Sequence, residues 1–252
     1  MNAVAIVDLD NTLVRGSYLF HFGMSLVRRR LLTPRPVVPF LLDEYRFVRS
    51  RGERSGLPER VTESVLSCVA GRDQDALVDL CGQFVADSLD RFVVPEVLEA
   101  VRDLQDLGFP AYVATASPQE LADQVARTLG LAGAIGTVAE VDGGRYTGRL
   151  ASPITHGTEK LVRVQALLTG LGADASASWA FSDSINDLPL LSAVGWPVAV
   201  NPDQRLRAIA VSRSWLTIDR SSRAPEDRWV ARWTQHPAKW LRDDPAAHVP
   251  MH

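Results

Sequence analysis

The stretch Val4-Ala5-Ile6-Val7-Asp8-Leu9-Asp10-Asn11-Thr12 constrains this chain more than any other. Its four leading apolar residues are too few for a helix and rich in β-branched side chains, so they read as a fully buried strand. That strand delivers Asp8 and Asp10 at its carboxyl end, followed by Asn11 as a turn residue and Thr12 as a hydroxyl. In open α/β sheets, ligands bind just outside the carboxyl ends of the strands. Two carboxylates within three residues are costly at such a place unless something cationic lies between them. A solvated Asp-rich turn is the bland alternative, and the rest of the chain decides against it.

A length of 252 residues suits one large domain, or a core with an inserted cap. The segments after Thr12 favour the second. Residues 13–90 read as helical: Ser17 caps a helix through 28, Pro34, Pro36 and Pro39 interrupt the chain, and a second helix runs to about 50. A charged loop over 49–56 precedes helices at 58–69 and 73–89. The α/β pattern then resumes. Pro95 opens a helix ending near Gly108, and 111–114 is a buried strand ending at Thr115-Ala116-Ser117-Pro118. Pro118 starts a helix reaching Gly130, and 134–141 reads as a strand. Asp142-Gly143-Gly144 is a hairpin signal, returning through 145–149. A helix at 158–168 and a strand at 179–181 follow, then strands at 198–200 and 215–218 around a helix at 203–211.

Helices separate the core strands, so the expected fold is α/β: a mostly parallel, Rossmann-like sheet covered by helices on both faces. A helical cap is inserted after the first strand, and a small β-hairpin forms a flap. The expected division is a core of residues 1–14 and 91–220, a cap of 15–90 and a tail of 221–252. The tail holds Trp229, Trp233 and Trp240. It is expected to dock on its own domain, with a homo-oligomer contact as the second reading and an interfacial membrane contact as the third.

Composition narrows the class of function. Apolar residues make up 46% and charged residues 23%, as in globular proteins with a substantial core. The net charge of −3 supplies no general attraction to nucleic acid. Cys68 and Cys81 form neither a CxxC nor a metal-ligand spacing, and read as reduced thiols of a cytoplasmic protein. No basic-then-apolar leader precedes the first strand, and no run of about 18 apolar residues occurs, so neither secretion nor a membrane span is expected.

Three core strands end in polar residues suited to phosphate: the first in Asp8 to Thr12, the second in Thr115, and a later one in Asp183 with Asn186 and Asp187. Lys160 lies between the last two, near a helix start. Alone, Lys160 would read as a solvated helix lysine and Thr115 as an ordinary strand-end hydroxyl. Their order and shared strand-end placement make the set specific.

With these residues the sequence resembles the haloacid dehalogenase (HAD) superfamily of phosphohydrolases, in its phosphoserine-phosphatase-like branch with a helical cap, subfamily IB. The first motif of that family, DxDx[TV], is met by Asp8, Asp10 and Thr12; the second by Thr115; the third by Lys160. The fourth, a DxxxD pattern that becomes DxxND in this branch, is met by Asp183, Asn186 and Asp187. The resemblance spans roughly residues 3–218.

The chemistry can be stated beside the resemblance. Phosphate monoesters hydrolyse slowly, and their loose transition state needs mostly positioning and positive charge. Asp8 is expected to attack phosphorus in line, giving an aspartyl-phosphate. Its charge repels the phosphate unless a cation intervenes, and Mg²⁺ suits that task. Asp8 and Asp183 are the expected side-chain ligands, and the resemblance adds the main-chain carbonyl of Asp10. Asp187 would stand behind them, orienting water or Lys160. Asp10 would protonate the leaving alcohol and then deprotonate the attacking water, with a pKa raised by the neighbouring acid. Thr12, Thr115, Lys160 and Asn186 would hold the phosphoryl group, with donors added by the amides of Leu9 and Ala116.

The expected activity is Mg²⁺-dependent hydrolysis of a small phosphorylated metabolite, with phosphoserine and histidinol phosphate among the substrates left open. A phosphotransferase using the same intermediate and a catalytically idle phosphate-binding module are the alternatives. The resemblance implies that dehalogenases lack an acid at the position of Asp10, and the DKTGT signature of transport ATPases is absent. Phosphoserine phosphatases carry a Glu at the ninth position beyond the nucleophile, where this chain has Ser17. Ser17, Arg49 and Arg54 are therefore the specificity candidates, with Arg15 and Arg51 as further cations and His21 and His156 near the mouth.

Overall fold

The computed structural model describes residues 2–31, 66 and 68–219. Six parallel strands form its main sheet: β1 (Ala5–Val7), β2 (Ala111–Pro118), β3 (Gly133–Thr137), β6 (Trp179–Ser182), β7 (Trp196–Val200) and β8 (Leu216–Ile218). Their order is β3-β2-β1-β6-β7-β8. The strand that carries Asp8 is thus central, flanked by the strands that lead to Thr115 and Asp183. The chain order reverses on either side of β1, and in open α/β sheets ligands bind at such a switch point, outside the carboxyl ends of the strands. A separate antiparallel hairpin pairs β4 (Ala139–Asp142) with β5 (Arg145–Leu150).

Among the described residues, helices include α1 (Tyr18–Arg28), α2 (Gln74–Phe92), α3 (Pro95–Asp106), α4 (Gln119–Leu129), α5 (Thr158–Leu171), α6 (Leu188–Leu191) and α7 (Gln204–Ser212). Strand alternation sends Val7, Val113, Phe181 and Val198 to one face, against Val97, Val101 and Leu104 of α3 and Leu121 and Val125 of α4. Ile6, Ala114, Ala180 and Ala199 face the other way, onto Val164 and Leu168 of α5, Leu190 and Leu191 of α6, and Leu206 of α7. The first cluster continues into α1 and α2, where Tyr18 and Phe22 meet Phe84 with ring centroids 5.0 and 5.3 Å apart.

Local signals account for most boundaries. Ser17 caps α1 through Phe20 N–H, and Asp73 caps α2 through Ala76 N–H. Pro95 opens α3, and Gly130 closes α4 in the left-handed conformation at φ 69°. Pro118 is the residue before α4, because β2 runs through Thr115 and Ser117 to Pro118 itself.

The single strand expected over 134–141 is two strands in different sheets. Thr137 Oγ1 donates to Ala116 O at 2.8 Å and accepts from Thr155 N–H at 3.1 Å, which anchors the end of β3. The chain then leaves the parallel sheet at Val138, whose carbonyl accepts from Ala151 N–H, and β4 takes β5 as its partner. The hairpin docks through Tyr146, whose hydroxyl donates to Glu120 Oε1 at 2.7 Å and whose backbone pairs with Gly71 and Arg72.

The chain leaves and re-enters the core through paired segments. Val94 N–H donates to Leu13 O at 2.9 Å, and Arg15 N–H to Phe92 O at 2.8 Å. The expected helix to 50, the loop 49–56, most of the helix 58–69 and the tryptophan tail lie outside the described residues. Among the described residues, no helix is long and apolar enough to cross a membrane.

Candidate active site

Asp8 N–H makes the last ladder bond of β1, to Phe181 O at 2.9 Å, and the backbone then coils on itself. Leu13 N–H returns to Asp8 O, Val14 N–H to Leu9 O, and Asn11 N–H to Gly16 O, with Asn11 at φ 59° and Gly16 at φ 77°. Asn tolerates that left-handed conformation better than most residues. The tight coil gives Asp8 and Asp10 separate surroundings although one residue separates them.

Asp8 faces Lys160. The Lys160 ammonium, on the first turn of α5, donates to Asp8 Oδ1 at 2.8 Å and to Asp187 Oδ2 at 2.7 Å. Lys160 is 3% exposed, so the contact is a buried three-residue bridge. Thr12 Oγ1 donates to Asp8 Oδ2 at 3.2 Å, and Ser182 Oγ to Asp187 Oδ2 at 2.7 Å. Burial alone would drive the lysine towards neutrality; Asp187 and Asp8 overcome it and its pKa rises, so it stays an ammonium.

One ammonium does not balance the carboxylates. Burial pushes the Asp8 pKa to about 7, with Asp187 and Asp10 adding to the rise and Lys160 opposing it. Asp183, just beyond β6 and 5% exposed, is raised well above the ordinary carboxylate range by burial and then by Asp8 and Asp187. Asp187 Oδ1 is buried without a hydrogen-bond partner among the described residues. Such an excess of buried anionic oxygen suits a hard divalent cation. Among the described residues, no group of three or more His, Cys, Asp or Glu side chains is placed to hold a metal. The donor set expected from the sequence is smaller: two carboxylates, Asp8 and Asp183, with a main-chain carbonyl. Mg²⁺ takes few carboxylates and keeps several waters, so the residues present fit it.

Asp10 faces α1 and β2. Its Oδ1 accepts from Tyr18 N–H at 2.6 Å, at the first residue of α1. Its Oδ2 accepts from Ser117 Oγ at 3.1 Å and, more distantly, from Thr115 Oγ1 at 3.5 Å. The Asp10 pKa is raised as expected, but the cause differs. Burial is its main cause, while the hydrogen bonds and Lys160 pull it down.

Thr115 is buried and accepts from Ser117 N–H at 3.1 Å, beside Ala116, whose carbonyl holds Thr137. Leu9 has a fully buried side chain between the two acids. Asn186 sits in the 3₁₀ turn Ile185–Asp187, with its N–H donating to Ser184 Oγ at 3.2 Å. Ser17 is buried and its oxygen caps α1. His21 stacks on Phe92 at 4.2 Å, and its pKa is lowered by burial. His156 lies just before α5, and burial and then Lys160 lower its pKa. Arg49, Arg51 and Arg54 lie outside the described residues.

Three polar residues escaped the sequence reading. Ser117 holds Asp10, Ser182 holds Asp187, and Asp203 accepts from Ile185 N–H in the turn that carries Asn186 and Asp187. Ser117 alone had a usable signal: it lies two residues beyond Thr115, on the same side of an extended strand.

A family model of haloacid dehalogenase-like hydrolases matches residues 5–192. The chain is 40% identical over 219 residues to "Phosphoserine phosphatase SerB1" of Mycobacterium tuberculosis (strain ATCC 25618 / H37Rv), covering 85% of this chain and 70% of that one. It is 26% identical over 223 residues to "Histidinol-phosphatase" of Neisseria meningitidis serogroup C (strain 8013), covering 87% of this chain and 99% of that one. A solved structure described as "Phospho-Aspartyl Intermediate Analogue of Phosphoserine phosphatase" superposes with a TM-score of 0.62 over 93% of this chain and 98% of its own. Their identity is 15%, so that likeness is one of fold.

Proposed function

The chain belongs to the haloacid dehalogenase-like hydrolases and is a phosphatase, and from that premise we propose that it hydrolyses a small phosphorylated metabolite through a phosphoaspartate on Asp8, with Mg²⁺ as cofactor. The observation that carries the proposal is the Lys160 ammonium held between Asp8 and Asp187 at the end of the central strand.

Asp8 attacks phosphorus in line, forming an acyl phosphate as the bond to the leaving oxygen breaks. Asp10 gives that oxygen its proton. It then takes one from the water that attacks the phosphoaspartate, which returns Asp8 as a carboxylate and releases inorganic phosphate. Ser117 and Tyr18 N–H hold Asp10 for both transfers. Thr12, Thr115 and Lys160 hold the phosphoryl oxygens, with Asn186 and the amides of Leu9 and Ala116 as further donors. Asp8, Asp183 and the main-chain carbonyl of Asp10 would hold Mg²⁺. When bound, the ion offsets charge between the carboxylate and the phosphoryl group.

Residues 15–90 serve as a cap over this site, on a core of 1–14 and 91–220. The paired segments around Leu13 and Val94 support that division, since they bring the two ends of the insertion together. Phosphoserine and histidinol phosphate are the leading substrates, supported by the names of two relatives. Release of phosphate from an aryl phosphate tests the proposal. Purified protein is expected to release it with Mg²⁺ and to stop in EDTA; turnover that persists in chelator would remove the metal role.

A further inference from the structure

Asp183 has an exacting task and little side-chain support. It follows β6 directly and sits on a loop that turns at once into the 3₁₀ segment Ile185–Asp187. The direction of its carboxylate is therefore set by its backbone. Two contacts to one residue hold the backbone that leaves Asp183, one on each side of Ser184. Asp203 N–H donates to Asp183 O at 2.9 Å, and Asp203 Oδ2 accepts from Ile185 N–H at 2.6 Å. The other carboxylate oxygen, Oδ1, accepts from Leu206 N–H at 2.8 Å and caps α7.

A helix cap alone does not explain this residue. Asn or Ser would cap α7 about as well. A carboxylate that is 4% exposed adds a buried negative charge beside Asp183, which burial penalises. The two oxygens serve two elements: one the helix, the other the loop that carries the metal carboxylate. We propose that Asp203 is a positioning residue for the divalent-cation site, holding the Asp183 loop in its ligating conformation and adding negative charge behind it. This rests on the reading of Asp8 and Asp183 as cation ligands.

Residues that orient metal ligands typically change affinity about 10- to 100-fold when replaced. Asp203→Asn keeps a capping oxygen for α7 but removes the charge and cannot accept with both oxygens. Asp203→Ser keeps the cap with a side chain too short to serve both donors. The test is Mn²⁺ binding to the full chain, read from the free-Mn²⁺ electron paramagnetic resonance signal, with Mg²⁺ as competitor. Circular dichroism and unfolding without metal report the fold. The expected result is a folded variant whose Mn²⁺ affinity falls about tenfold or more. Wild-type affinity in a folded Asp203→Asn or Asp203→Ser would overturn the inference and leave the cation site standing. Absence of Mn²⁺ and Mg²⁺ binding in the wild-type protein would overturn the cation reading itself, and this inference with it.

Discussion

Lys160 Nζ donates to Asp8 Oδ1 across 2.8 Å, a buried contact between residues 152 positions apart. The ammonium also binds Asp187, so one cation on α5 fixes the end of β1 and the turn after β6 together. Removing one partner of a buried ion pair leaves the others uncompensated, typically at a cost of about 3–5 kcal/mol. Lys160→Ala is expected to lose stability on that scale. Its turnover is expected to fall by about 10²–10³ or more, as for loss of one donor to a transition-state anion. Urea unfolding and phosphate-release assays check the two effects separately.

Asp10 is held by Ser117 and Tyr18 rather than by the Lys160 bridge, which fits a proton carrier. General acid catalysis contributes about 10²–10⁴, and it matters most when the leaving alcohol is a poor one. Asp10→Asn is therefore expected to lose more activity with alkyl phosphates than with nitrophenyl phosphate, whose leaving group departs without a proton. Ser117→Ala should show the same pattern with a smaller loss. Equal losses across leaving groups would remove Asp10 from the proton-transfer role.

The raised carboxylates make a prediction about pH. Asp8, near 7, and Asp10 and Asp183, also raised, hold protons in the folded state that the unfolded chain gives up near the ordinary value of 3.8. An acid shifted upward on folding contributes stability that is present below its unfolded pKa and is lost as pH rises through its folded value. Metal-free protein is thus expected to lose stability over a window that opens at about pH 4 and continues as pH rises, relative to an Asp183→Asn variant. Mg²⁺ requires the deprotonated ligands, so its stabilising effect is expected to be larger at high pH than at low pH. Thermal unfolding in EDTA and in Mg²⁺ across this window provides both comparisons, and a wild-type curve rising relative to the variant in EDTA would contradict the account.

Ser17, a specificity candidate from the sequence, has its oxygen accepting from Phe20 N–H at 3.1 Å, where it caps α1. Replacing such a cap with Ala typically costs about 1 kcal/mol. Ser17→Ala is expected to show that loss in chemical denaturation.

Features governed by local rules were legible from the residues. The buried strand before Asp8, the cap at Ser17, the Pro95 start and the Asp142-Gly143-Gly144 turn all depend on neighbours within a few positions. The split of 134–141 was not legible, because extended backbone looks the same whichever strand it pairs with. Ser117 and Asp203 were missed for a related reason: a serine after a strand and an aspartate before a helix have ordinary local explanations. Their second roles depend on Asp10 and Ile185, which tertiary structure alone brings near. The direction of the Asp10 shift followed from its task, whereas its main cause, burial, required the folded structure.

The central claim is that Asp8 becomes phosphorylated during turnover. Acid-quenched protein taken during turnover of a phosphate monoester can be reduced with borohydride, which converts an acyl phosphate to the corresponding alcohol, and then mapped by peptide mass spectrometry. The account predicts reduction at Asp8, lost in Asp8→Asn together with phosphate release. Continued phosphate release by Asp8→Asn, or reduction at a different carboxylate, would contradict it.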